Sequence, residues 1–452
     1  MEQMEQKSYV ERWGRLLSDL RVKFDGDAVG FVPGGAPDDP RSPFEVDYDR
    51  VVFASPFRRL ARKTQVHPFA EVDHIHNRLT HSLEVASVGL SLAKRVGAFL
   101  VARGDLTSAQ ADAICWIVQA AGLAHDIGNP AYGHSGEQAI QSWAEGRKDD
   151  LDDDPVWTDF RVFDGNAQAF RLLARNDTRP SAYFRFTLAS LGALVKHPRL
   201  ASSFADDPSA ERKLAAFTSE EALFRRVWSE LGLVRADGSF MRHPLSFLTE
   251  AADDICYRIL DFEDAVTLDI FPHEEIEQLF LKLVPPAERE HAAGKPLQWL
   301  RALAIHDLIR AFSDQFVAHY DEIMSGAFSG ELKDLLVGDT RAAFAEIKER
   351  YAVLFANHRK VIAEIGSYGQ FALILDHYFG FLQAMPAAPG EPAPALADLP
   401  ALHRHLVQLA WDKPFYEANR ARPRAWWAHA VLDFVSGMTD DYLNTLAHRL
   451  GK

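Results

Sequence analysis

His125 and Asp126 stand side by side in the stretch Ala121-Gly-Leu-Ala-His-Asp-Ile-Gly-Asn-Pro-Ala-Tyr-Gly-His-Ser-Gly-Glu137. An imidazole beside a carboxylate suits a borderline or hard divalent metal. Successive side chains on a helix diverge by roughly 100°, so such a doublet serves one ion only from a helix end. The glycines and proline that follow supply that end. A doublet alone is weak evidence: His306-Asp307 repeats it in an amphipathic stretch, where a solvated face is expected. Past the break come His134 and Glu137, three apart. A carboxylate beside a histidine fixes its tautomer and raises its basicity, as a general acid or base requires. The same residues also read as a helix cap (Ser135 followed by Glu137 and Gln138) with a bystander histidine, and spacing alone leans to the cap.

The elements that must position these groups are helical. Asn77 or Thr80 caps a long helix with an apolar set at Leu83, Val88, Leu92, Val96 and Phe99, ended by Gly104. Arg78 and His81 share a face near its start. A second helix, from about Ser108 to Asp126, delivers the doublet. A third, Ser246 to Thr267, carries Asp253, Tyr257 and Asp261 in one polar stripe, for which the plain alternative is a solvent-facing surface. Shorter helices are expected at 1–24, 166–174 and 185–197, with 25–43 irregular and 201–213 exposed. Beyond 270 helices are expected at about 274–284, 297–324, 340–365 and 368–385, with a final helical stretch at 401–450. Strand signals are nearly absent, and no tandem repeat or glycine-rich nucleotide fingerprint occurs.

The expected fold is therefore all-α: one large helical bundle-like domain with a metal site in its core. A core at 44–270 and a helical C-terminal part at 271–452, with a Pro/Ala-rich linker at 386–400, are expected within it. The 452 residues carry a formal charge of −15, which argues against broad nucleic-acid coating while leaving room for a local basic pocket. Arg58, Arg59, Arg62 and Lys63 form either a solvated helix face or a phosphate-facing wall. Cys115 and Cys256 lie in apolar helical contexts and read as core fillers. No leader-like stretch and no run of about 18 apolar residues is seen, so a cytoplasmic protein without membrane contact is expected.

His81, His125, Asp126 and an aspartate of the 246–267 helix give two nitrogens and two oxygens, each helix contributing its share to a bundle core. Such a set leaves positions open on a six-coordinate ion. Zinc more often takes three ligands with a nitrogen bias. Mn²⁺, Mg²⁺, Fe²⁺ and Co²⁺ fit equally well.

Three blocks then carry a family resemblance: Asp49-Arg50 through Phe57-Arg-Arg-Leu60 and Lys63-Thr-Gln-Val66; Arg78-Leu-Thr-His-Ser-Leu-Glu-Val85; and Leu123-Ala-His-Asp-Ile-Gly-Asn-Pro130 with Gly133-His-Ser-Gly-Glu137. Weaker echoes are Gly165-Asn-Ala-Gln168, Leu194-Val-Lys-His-Pro198, Glu250-Ala-Ala-Asp-Asp-Ile-Cys-Tyr257 and Ser436-Gly-Met-Thr-Asp440. With them the chain resembles the dGTPase-like deoxynucleoside triphosphate triphosphohydrolases of the HD superfamily. The resemblance implies a metal, Mn²⁺ or Mg²⁺ first, held by His81, His125, Asp126 and Asp253. Asp253 is preferred to Asp254 because the family pattern wants a tyrosine four and an aspartate eight residues later, met by Tyr257 and Asp261. It implies a dNTP split into deoxynucleoside and inorganic triphosphate, with His134 and Glu137 as the catalytic pair. Gln65, Tyr257 and Asp261 would face the sugar, and Arg78 and Lys196 the phosphates. His197 stands where relatives often have an aromatic, and Ala131-Tyr132 where Pro-Phe is usual. A second dNTP as activator and homo-oligomerisation are further implications. The alternatives are another HD phosphohydrolase (a 5′-nucleotidase or phosphodiesterase) or a non-catalytic dNTP- or ssDNA-binding helical protein.

Overall fold

Short connections between long apolar-faced helices leave few ways to bury them, and antiparallel pairing is the simplest. The computed structural model describes all residues except 1, 26–27, 67–74, 153, 176–183, 205–212, 357 and 452. His67 and His74 of the loop before the first long helix, and most of the 201–213 segment expected to be exposed, lie outside the described residues. The helices that build the cleft are labelled here in chain order: α1 (Arg78–Arg103), α2 (Ser108–Ala124), α3 (His134–Gly146), α4 (Gly165–Ala174), α5 (Pro244–Thr267), α6 (Gly338–Phe355), α7 (His358–Gln383), α8 (Arg424–Ser436) and α9 (Asp440–Leu450).

Asn77 begins α1 by accepting the backbone N–H groups of Leu79 and Thr80, and Thr80 Oγ1 closes the box on the Asn77 N–H. Gly104, with φ 83°, ends it. Thr107 and Gln110 cap α2 reciprocally. Two glycines let the pair close up. A Cβ on Gly122 would lie 3.1 Å from Ala86 Cα, and one on Gly89 would lie 2.9 Å from Val118 Cγ1. The start of α1 and the end of α2 therefore meet. By length and composition α1 is apolar enough to cross a bilayer, which the absence of an uninterrupted apolar run had concealed. Here its apolar face packs on α2 and α5.

The buried apolar residues fall into two clusters. The first gathers Trp13, α1, α2, Trp228, α5 and the helices up to Leu354. The second gathers α3, the helix Val156–Arg161, Phe217, α7, α8 and α9, around Phe371, Tyr378 and Trp427. Cys115 and Cys256 are buried and free.

Three expectations change. The segment after the first helix (Glu2–Leu16) is an antiparallel hairpin, Arg21–Asp25 with Ala28–Val32. The alternation of Val22 and Phe24 with Arg21 and Lys23 spans only five residues, too few to stand out. The buried Arg21 pins it to Asp47 and to the Pro43 and Gly34 carbonyls. Second, the break placed at Gly366 falls instead just after Phe355, and α7 runs on through Gly366 and Gly369. A Cβ on either glycine would meet open space, and burial of Phe371, Ile374 and Tyr378 outweighs their weak helix propensity. Third, the region 185–197 is helical only over Leu188–Leu194; Val195 follows on extended backbone, and Lys196 lies just beyond it in a bend.

His76, just before α1, joins α1 to α5: Nδ1 lies 2.8 Å from Asp264 Oδ1 and Nε2 lies 3.1 Å from Glu84 Oε1. Burial alone would lower its pKa, but the two carboxylates raise it to about 10. A folded pKa above the unfolded value means stability that is complete below about pH 6.5 and is lost as pH rises through about 10. His76→Gln is expected to cost about 2 kcal/mol at neutral pH. In urea unfolding the gap to the parent should narrow as pH rises from 7 towards 10.

Candidate active site

The antiparallel pairing of α1 with α2 sets the His81 and His125 rings edge to face, centroids 5.2 Å apart. His125 Nδ1 lies 2.7 Å from the Gly122 carbonyl, which only accepts, so that nitrogen carries the hydrogen. Its Nε2 lone pair then faces the interior, as a metal ligand requires. Donor atoms of His81, His125 and Asp126 all lie within 4.8 Å of one another. From α5, Asp253 Oδ1 lies 3.1 Å from His81 Nε2 and 3.6 Å from His125 Nε2. Asp253 lies outside that 4.8 Å group but adds a carboxylate oxygen beside both imidazole nitrogens, and such a donor set fits a divalent ion.

Each carboxylate of this set has a cation on its other side. Arg78 Nη1 donates to Asp126 Oδ2 at 2.8 Å, and Lys196 Nζ donates to Asp253 Oδ2. Burial would raise both carboxyl pKa values. For Asp253, Lys196 and the two histidines reverse that and hold it well below the usual range. For Asp126, Arg78 and the same histidines outweigh burial and lower it. Burial lowers His125, whereas His81 is lifted because Asp253, Asp126 and Asp261 outweigh burial.

The second pair is built by strained backbone. Tyr132 and Gly133 both have positive φ, 59° and 55°, and α3 begins directly at His134. His134 Nδ1 lies 2.6 Å from Glu137 Oε2, and Glu137 Oε1 accepts the Gly165 N–H at 2.8 Å. The hydrogen bond that His134 donates to Glu137 raises the His134 pKa, and its ring stands open to solvent. The cap reading fails on geometry: Gly133 is the N-cap without a side-chain bond, and Ser135 Oγ turns to Ser367 and the Glu364 carbonyl.

One cleft of about 870 Å³ is lined by Gln65, Arg78, His81, His125, Asp126, His134, Glu137, Lys196, Asp253, Tyr257 and Asp261. All eleven side chains singled out in the sequence therefore meet. Asp261 is buried, with its pKa raised to about 7 by burial against the tempering bond from Tyr351. Gln65 Oε1 and Arg78 Nε are buried without a partner, an acceptor and a donor left for a ligand.

Of the two readings of 58–63, the phosphate-facing wall is not the one the structure has. None of Arg58, Arg59, Arg62 or Lys63 lines the cleft. Lys63 is buried on the Asn129 and Ser436 carbonyls, and Arg62 pairs with Asp441 at 3.0 Å. Positive charge comes instead from Lys348 on α6 and Lys360 on α7. Those helices also bring Tyr351, Phe355, Glu364 and Tyr368. Tyr351 donates to Asp261 Oδ2 at 2.8 Å, a partnership across 90 residues with no local signal in the chain.

The family model of the HD domain matches residues 78–205. A deoxyguanosinetriphosphate triphosphohydrolase-like protein of Pseudomonas aeruginosa (strain LESB58) is 36% identical over 430 residues, covering 91% of this chain and 93% of its own. One from Synechocystis sp. (strain ATCC 27184 / PCC 6803 / Kazusa) is 33% identical, covering 88% and 91%. A deoxyguanosinetriphosphate triphosphohydrolase of Serratia proteamaculans (strain 568) is 30% identical, covering 88% and 92%.

Gly133 is a tight point of this geometry. A Cβ there would lie 2.3 Å from Arg78 Nη2, on backbone at positive φ. Gly133→Ala is expected to lose about 1–3 kcal/mol in urea unfolding and to push Arg78 off Asp126. Gly14→Ala, in open space within the first helix, should be neutral or stabilising.

Proposed function

The chain belongs to the deoxyguanosinetriphosphate triphosphohydrolase-like family of HD-domain proteins, and from that premise we propose that it hydrolyses a deoxynucleoside triphosphate to the deoxynucleoside and inorganic triphosphate. The observation that carries the reading is the convergence of metal-type donors, a histidine–carboxylate pair and an orphaned acceptor in one cleft of about 870 Å³, a volume suited to a small ligand.

His81, His125, Asp126 and Asp253 would hold a divalent ion, Mn²⁺ or Mg²⁺ by preference. When bound, that ion supplies Lewis-acid polarisation of the α-phosphate and offsets its charge. The chain's own groups do the rest. Arg78 and Lys196, joined by Lys348 and Lys360, draw the triphosphate into a protein of charge −15. The buried Arg78 Nε is a donor in want of a phosphate oxygen. Gln65 Oε1 in turn wants a hydroxyl donor, which the sugar offers. Tyr257 packs against the sugar face, and Asp261, steadied by Tyr351, reads the hydroxyl edge. His134 keeps its Nδ1 hydrogen on Glu137 and presents Nε2 to the cleft. There it orients the attacking water or hands a proton to the departing 5′-oxygen. A phosphate-binding protein without turnover has no use for an oriented, solvent-open imidazole of this kind.

The test is a panel of the four dNTPs, singly and mixed, with Mn²⁺ or Mg²⁺ and products resolved by ion-exchange chromatography. Triphosphate and deoxynucleoside are expected; pyrophosphate or orthophosphate would overturn the reaction assignment. His134→Ala should lower kcat by about 10²–10⁴-fold with bound metal unchanged. Asp126→Ala should lose the metal itself, read by elemental analysis.

A further inference from the structure

The cleft lies on the seam between the two apolar clusters. His81 and Asp253 sit on α1 and α5, and His125 and Asp126 directly at the end of α2; the apolar faces of these helices belong to the first cluster. His134 and Glu137 sit on α3, whose apolar residues Ala139, Ile140 and Trp143 belong to the second. Apolar packing holds each half, but it does not set their register, because it is non-directional. Directional bonds across the seam must.

We propose that Asp440 is the positioning residue that sets this register: its one carboxylate clasps the segment ending at Gln65 to the segment leading into His134. Asp440 is 5% exposed, at the first position of α9. Its Oδ2 accepts from Thr64 N at 2.9 Å and from Thr64 Oγ1 at 2.5 Å. Its Oδ1 accepts from Tyr132 N at 3.0 Å. Thr64 is the neighbour of Gln65, and Tyr132 opens the positive-φ step to His134. Helix capping does not explain the arrangement. Thr439 is the N-cap of α9, and the oxygens of Asp440 are turned away from their own helix. Lys63 reinforces the clasp from the same side, through the Asn129 and Ser436 carbonyls. A non-glycine residue at positive φ such as Tyr132 is held only where the surroundings over-determine it, and the bond to Tyr132 N is such a restraint.

The proposal rests on the functional reading above for its consequence, but its structural part can be judged apart from it. Asp440→Asn keeps the shape and replaces one acceptor oxygen by a donor that would face an N–H. In hydrogen exchange on the full metal-loaded chain, the amides of 64–66 and 132–137 should lose protection together while α1 and α2 keep theirs. Protection lost in only one segment, or in neither, would overturn the clasp. In turnover, kcat should fall about 10–100-fold, the scale of a roughly 1 Å misplacement, with KM and bound metal nearly unchanged. In a His134→Ala background Asp440→Asn should add nothing further, since a residue acting through another loses its effect when that other is gone. An additive effect would show that Asp440 does not work through His134. Thr439→Ala, which uncaps the same helix without touching the clasp, should leave kcat alone; an equal loss would reduce Asp440 to a helix-stability role. Exchange needs no turnover, so a parent chain inactive on every dNTP would sink the functional reading while the clasp is still decided.

Discussion

Everything at the site depends on how closely two helices approach. Helices packed through ordinary side chains lie about 8–10 Å apart. Gly89 and Gly122 remove the side chains at the contact between α1 and α2, and Ala86 and Val118 fill the space. The connection between them covers only 104–107, so they run antiparallel. Residues near 81 and near 125 must then come together, and their rings do, at 5.2 Å. A larger residue at either glycine would have to move backbone or Val118, and the two imidazoles would part.

That closeness concentrates charge in a buried place. An uncompensated buried carboxylate costs several kcal/mol. Asp126 and Asp253 avoid this by taking Arg78 and Lys196 as partners. The same two cations line the cleft, so the groups that stabilise the donor carboxylates are also those that, under the proposed function, would meet phosphate oxygens. Lys196 is itself held in the charged form, because Asp253 and Glu250 outweigh its burial. The basic run at 58–63 has a different task. Lys63 is buried against two carbonyls and Arg62 reaches Asp441, so its charge is structural.

The helix ends and the donor residues were legible because their causes are local. Asn77, Gly104 and Thr107 bring their own hydrogen-bonding logic, and a histidine–aspartate doublet at a helix end needs no distant context. What could not be read was set by contacts remote in the chain. Tyr351 and the cations of α6 and α7 reach the cleft from residues 338–383, in an amphipathic stretch that looks like any other. Gly366 looked like a helix end because its propensity is local, while the burial that overrides it is not. The hairpin at 21–32 was missed for a third reason, since five residues of alternation are too short a period to stand out.

The island at 436–440 shows why the informative residues were spread over the whole chain. The second apolar cluster is assembled from 131–217 and 371–447, so the chain crosses the seam more than once. A crossing segment cannot rely on its neighbours in sequence to fix its place; it needs polar anchors from the far side. Gln168 and Arg171 take theirs from Asp433, and Gly165 takes its own from Glu137. Thr64 takes its own from Asp440, which also holds Tyr132, while Ser135 is tied within the second cluster to α7. Each anchor is a directional bond at a point where hydrophobic packing leaves freedom. A site divided between two cores is then only as well ordered as the few bonds across the join, which is why an aspartate far from any reacting group belongs to the same physical argument as the histidine it helps to aim.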